Sequence, residues 1–174
     1  MKQFLGRIAT AGLAIGLLCT VGDRAFAKDP NPVRPYRART QETQISLGVC
    51  DPGVPALEGF VSEEWVGVGN STHGGRSEDH FCVVVTDVRS PSDPFILELG
   101  GQGTATTANG DEVFFLIENG LINVDEGCQV TGTLTFTGGT GRFEHASGTA
   151  ECISTHVTPC GPSQMTTCAG TISY

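Results

Sequence analysis

The chain has 174 residues, with 19 aspartates and glutamates against 10 lysines and arginines and a net charge of −9. A surface this acidic repels phosphate backbones and anionic lipid, which excludes nucleic acid as a partner. The length is that of one domain.

The N-terminus reads as a targeting segment. Lys2 and Arg7 precede the apolar run Ile8–Val21, and Ala25-Phe26-Ala27 forms a small-x-small cleavage site. Residues 1–27 are therefore expected to be a secretory signal peptide, and the protein to be secreted or periplasmic. The run is too short to span a bilayer comfortably, and no later segment is long and apolar enough to form a transmembrane helix. Cys19 follows Leu18, where a lipid-attachment motif needs a small residue. Six cysteines remain after cleavage: Cys50, Cys82, Cys128, Cys152, Cys160 and Cys168. An even count in an exported chain predicts disulfides, and the absence of a C-x-x-C pair argues against redox or zinc-ribbon chemistry.

Residues 28–43, KDPNPVRPYRARTQET, hold three prolines and a group of arginines. They are expected to form a flexible leader ahead of a single domain at 44–174. No segment of that domain keeps a 3.6-residue apolar period. Strand signals come instead, near 44–49, 59–68, 79–88, 95–107, 112–118, 128–138, 142–155 and 166–174. Asn109-Gly110 is the strongest hairpin signal, and Asn119-Gly120 is a second turn candidate. Eight strands joined by short loops predict an all-β fold, an antiparallel up-and-down β-barrel, with a β-sandwich as the alternative. The segment 113–117, VFFLI, is apolar on both faces, so its outer face needs cover, which predicts a homo-oligomer.

Residues 131–150, TGTLTFTGGTGRFEHASGTA, carry a legible hairpin. A three-residue loop, Gly139-Thr140-Gly141, places Val130 opposite Ala150, Gly132 opposite Gly148 and Leu134 opposite Ala146. Gly141 supplies the positive φ that such a loop needs. Thr131, Thr133 and Thr135 then share the polar face with Thr149, Ser147 and His145. This register sets Cys128 against Cys152, within disulfide reach. Cys160 and Cys168 then close a short loop, which leaves Cys50 with Cys82. The alternative is Cys152–Cys168, symmetric about a turn near Cys160.

Four segments resemble the allene oxide cyclase/dirigent-type β-barrels, in particular their secreted bacterial members. They are Gly138 to Gly148 (GGTG-x-F-x-x-A-x-G), Gly69 to Arg76 (GNSTHGGR), Thr106 to Glu112 (TTANGDE) and Gly170 to Tyr174 (GTISY). They occur in the family's order and span most of residues 58–174. The resemblance implies the barrel fold more than a function, since many secreted members have no assigned activity; the allene oxide cyclases of the group shape a reactive substrate around a buried glutamate without a cofactor. No position here matches that glutamate, so no catalytic residue is carried over.

Other chemistry finds little support. His73, His80, His145 and His156 lack the spacing that places two imidazoles on one strand face, so no metal site is expected. His73 is expected to bond a neighbouring strand's backbone. Glu98 and Glu118 lie among apolar residues, where a buried carboxylate would act as acid or base. Alternation turns Glu98 away from Leu97 and Leu99, and pointing at solvent is the preferred reading for both. Glu144 falls near the hairpin's end, within reach of water. Ser147 and His145 are too far apart along one strand for a hydrolase pair.

The small residues of the hairpin's apolar face leave an eight-stranded interior unfilled. The expectation is an apolar pocket lined by Val130, Leu134, Phe136, Phe115 and Ala146, with Phe114 helping to plug it and Phe60 or Trp65 capping a mouth. Binding of a small apolar or amphipathic ligand, or a scaffold role, is the leading function. A cofactor-free cyclase or dirigent-like protein is the second, and a cell-envelope interaction protein using the outer face the third. An enzyme is the less favoured class, and no cofactor is expected.

Overall fold

A computed structural model describes residues 31–174, so the expected signal peptide lies outside the described residues. Eight strands follow in chain order: β1 (Val33–Leu47), β2 (Glu63–Ser71), β3 (Gly75–Ser90), β4 (Ile96–Thr107), β5 (Glu112–Asn123), β6 (Gln129–Gly139), β7 (Ser147–His156) and β8 (Ser163–Ser173). Each pairs antiparallel with the next, and β1 returns to pair with β8. Closure leaves no edge strand and settles the choice between barrel and sandwich.

The first strand corrects the expected leader. Residues 33–43 belong to β1, paired on one side with β8 and on the other with β2. Pro35 is tolerated because pairing with β2 begins only at Ala38. Its carbonyl accepts from His73 Nε2 across the unpaired side, at 2.7 Å, so the N–H that proline lacks would face no ladder partner. His73 thereby makes the backbone bond expected of it. Asn119-Gly120 is likewise not a turn. It forms a bulge inside β5, with Asn119 at φ 53° and the register slipping between Glu118 and Leu121. The Asn109-Gly110 hairpin forms where expected, its loop closed by Thr107 N–H to the Asp111 carbonyl at 2.8 Å.

The β6–β7 hairpin forms four residues out of the expected register. Leu134 faces Ala150, Gly132 faces Cys152, and Phe136 faces Gly148. An even shift keeps each side chain on its predicted face. The cause is Phe143. A three-residue loop would have set it opposite Thr137, on the polar outer face. Instead Gly141–Phe143 forms a single 3-10 turn that swings the ring into the barrel, where it is 1% exposed. Burying a phenylalanine stabilises by about 1.5–3 kcal/mol, more than a tighter loop offers. Gly141 does adopt positive φ, at 57°.

The shift also corrects the disulfides. Cys152 lies directly opposite Cys168 in the β7–β8 pair and bonds to it. Cys128 bonds Cys160, joining the β5–β6 and β7–β8 connections. Cys50–Cys82 forms as expected and fastens the 48–62 connection over the outer side of β3, where Cys82 and Val84 are buried.

The packed core occupies one end of the barrel. Phe115, Phe136, Phe143, Ala150, Ile172 and the Cys152–Cys168 bridge cluster there. Tyr174 leans on Phe143 with ring centroids 4.7 Å apart, and Tyr36 meets Phe136 edge-on at 4.9 Å. The two loop disulfides lie at the opposite end.

Two outcomes follow. Peptide mapping under non-reducing conditions will recover Cys50–Cys82, Cys128–Cys160 and Cys152–Cys168, and no Cys128–Cys152 peptide. Phe143→Ala will cost about 3–5 kcal/mol in urea unfolding, the usual loss for a fully buried phenylalanine.

Candidate functional site

Inward-facing residues alternate along every strand, and they are not alike around the barrel. On β4, β5 and β6 they are Leu97, Leu99, Val113, Phe115, Ile117, Leu134 and Phe136. On β7, β8, β1 and β3 they include Ser154, His156, Gln164, Thr166, Thr40, Glu42, Ser77 and Asp79. The two walls enclose a cavity of about 340 Å³. That volume falls in the range of small-molecule sites, roughly 300–1,000 Å³.

The polar wall is built in cross-strand rows. One row runs His156, Gln164, Glu42, Gly67, Asp79 over β7, β8, β1, β2 and β3. The next runs Ser154, Thr166, Thr40, Gly69, Ser77, Thr107. Gly67 matters most. A Cβ there would stand 2.9 Å from Glu42 Cγ and 3.6 Å from Asp79 Oδ2, so two carboxyl side chains meet over a residue with no side chain.

Glu42 is 4% exposed and fully engaged. Thr40 Oγ1 donates to Oε1 at 2.8 Å, while Gln164 Nε2 and Thr166 Oγ1 donate to Oε2 at 2.6 and 2.7 Å. Burial pushes its pKa up; the three donors and His156 pull the other way without cancelling it. Asp79 is partly buried and has fewer partners. Burial first, then the Glu42 charge, raises it from an ordinary 3.8 to about 7, against a lowering hydrogen bond from Ser77. Burial and the Asp79 charge also push the Tyr36 phenol up. His156 donates Nδ1–H to the Gly161 carbonyl at 2.6 Å, which orients the ring edge-on to Trp65. A carboxyl poised near neutrality beside an apolar wall can bind a polar head group or exchange a proton with one.

Val130, Leu134, Phe136 and Phe115 all line this cavity, and so do Phe60 and Trp65. Ala146 does not; it is buried in the core cluster at the packed end, because the register shift puts Ala150 opposite Leu134. Phe114 points outward and is exposed. Glu98 resolves no role inside: strand alternation turns it away from the cavity-lining Leu97 and Leu99. Glu118 and Glu144 are exposed, and Glu118 accepts from Thr135. The histidines do not converge, and among the described residues no group of His, Cys, Asp or Glu could hold a metal ion.

Sequence reasoning missed both Glu42 and Asp79. Glu42 lay in the presumed leader. A usable signal was there: in Tyr36-Arg37-Ala38-Arg39-Thr40-Gln41-Glu42 the arginines share the odd positions with Gln41, while Glu42 shares the even ones with Tyr36, Ala38 and Thr40. Asp79 shares its parity with Phe81, Val83 and Val85, an inward set with one carboxylate in it.

The fold and cavity together define a closed eight-stranded barrel with one acidic and one apolar inner wall. A similar architecture is found in the solved structure of the pterocarpan synthase dirigent protein GePTS1, with a TM-score of 0.51, 9% sequence identity and coverage of 86% of this chain and 88% of that one. The chain therefore has a dirigent-type barrel fold. No family model and no curated protein matches the sequence.

The raised Asp79 pKa has a stability consequence. The folded state keeps a proton that the unfolded chain releases near 3.8. This group's contribution is therefore full below that value, falls as pH rises toward about 7, and stays low above it. The ceiling is about 4 kcal/mol, reduced by the solvent that reaches a partly buried side chain. Asp79→Asn will raise the melting temperature at pH 8 and change it little at pH 4, measured by circular dichroism.

Proposed function

We propose that this protein is exported and takes a small amphipathic ligand into its barrel. The apolar body lies against Phe115, Leu134 and Phe136, with Val130 nearby, and the polar head reaches the Asp79–Glu42 pair. The carrying observation is that the Glu42 and Asp79 side chains pack over Gly67 and both line a cavity whose opposite wall is apolar. The dirigent-type fold supports a cavity-based role.

A second reading is favoured by one feature, the Asp79 carboxyl held at about 7. In it the cavity folds a reactive substrate into one conformation and Asp79 gives or takes the proton that completes a ring closure. No cofactor is needed for such a step, and the walls set its stereochemistry by shape.

The outer face supports self-association. Phe114 and Leu116 on β5 are exposed, as are Val66 and Val68 on β2. Multi-angle light scattering of the purified chain tests this, with a homo-oligomer as the expected outcome.

Gly67→Val tests the cavity. A side chain there would start 2.9 Å from Glu42 Cγ and displace the two carboxyl groups, so ligands that raise the wild-type melting temperature will no longer do so. Val68→Ala, on the outer face of the same strand, will leave the shift intact. Equal shifts in both variants would place binding outside the barrel.

A further inference from the structure

We infer that the head group this cavity selects is a protonated amine, seated over the Glu42–Gly67–Asp79 row with its N–H groups directed at Asp79. The inference rests on the amphipathic-ligand reading above and specifies its chemistry.

The donors around Glu42 are already used: Thr40, Thr166 and the Gln164 amide nitrogen all donate to it. His156 gives its Nδ1–H to the Gly161 carbonyl. What the row still offers to a ligand is the Asp79 carboxyl, with the Tyr36 phenol beside it.

Charge points the same way. Glu42, Glu63 and Asp79 line the cavity, and among the described residues no lysine or arginine does. A carboxylate or phosphate head would meet like charge and lone pairs in a desolvated site. A hydroxyl could satisfy one acceptor. An ammonium supplies three donors and the compensating charge, and the excess of acidic side chains over the whole chain favours its approach.

The groups that set the pH response are few. The titratable groups that line the cavity with Asp79 are Glu42 and Tyr36 from β1, Glu63 from β2, His73 from the β2–β3 connection and His156 from β7, while β4 and β5 contribute only uncharged side chains to the cavity. Binding an ammonium favours ionised Asp79, so affinity rises with pH until that carboxyl is fully ionised.

Isothermal titration of the full chain with phenethylamine, phenethyl alcohol and phenylacetate tests the inference, because the three share one body and differ in the head. At pH 8 the amine is expected to bind at least about tenfold tighter than the alcohol, with phenylacetate weakest. Lowering the pH from 8 to 6 will weaken the amine about tenfold and leave the alcohol nearly unchanged. Asp79→Asn will bring the amine down to the alcohol's level. The wild-type pH series needs no variant, so it stands even if a substitution fails to fold. Alcohol or acid binding as tightly as the amine would overturn the amine head while leaving the amphipathic-ligand reading in place. No binding by any of the three would overturn both.

Discussion

The hydrogen bonds that Gln164 and Thr166 make to Glu42 carry more of this structure than any others. Glu42 stands on the first strand and its two β8 donors on the last, so the same contacts that satisfy a buried carboxylate also latch the barrel shut. A buried charge stripped of its donors costs several kcal/mol. β1 therefore gains little from docking on β2 alone; Glu42 is satisfied only when β8 arrives. Ser154 extends the latch by bonding Thr166 from β7 at 2.7 Å. Closure and the polar wall are one feature seen from two sides.

That arrangement explains why the two inner walls differ. The strands around the closure, β7, β8, β1 and β3, carry hydroxyls, an amide and two carboxyls, held in rows by direct cross-strand pairing. The strands opposite carry aliphatic and aromatic side chains that pack at one end into a solid core. Glu42 is buried and matched by donors. Asp79 is less well matched, and its raised pKa records that the folded state would rather hold it neutral. A group kept at a cost to stability inside a hollow is the usual mark of a working site. The glycine between the two carboxyls lets their side chains pack over the backbone of β2.

The loops add a second kind of order. Cys50–Cys82 binds the long β1–β2 connection against the outside of β3, and Cys128–Cys160 ties two connections together at the barrel end away from the packed core. The third bridge, Cys152–Cys168, lies inside the barrel and forms part of that core. Two of the bridges steady the rim around the cavity, and one completes the plug at its base.

Much of this was legible in the order of residues. Period-two alternation, turn residues at short intervals and an even set of cysteines specified eight strands, an antiparallel all-β fold and a disulfide-bonded domain, because these depend on local geometry and on which face of a strand is apolar; barrel against sandwich was decided only by the pairing of the first strand with the last. The faces of the β6–β7 hairpin were also legible, since any even slip preserves them. The register was not, because it turned on whether Phe143 found a place inside the barrel, and that place is built by Tyr174 and the strands around it. The disulfide pairing followed the register. The leading strand was hidden for a related reason: residues 33–43 are too polar to look like a strand until β8 and β2 flank them. Glu42 and Asp79 could be named as inward by parity, but only closure of the sheet brings β8 to one and sets the other across Gly67. Local pattern determined which side chains share a face; the contacts between the first strand and the last decided which of those faces became a site.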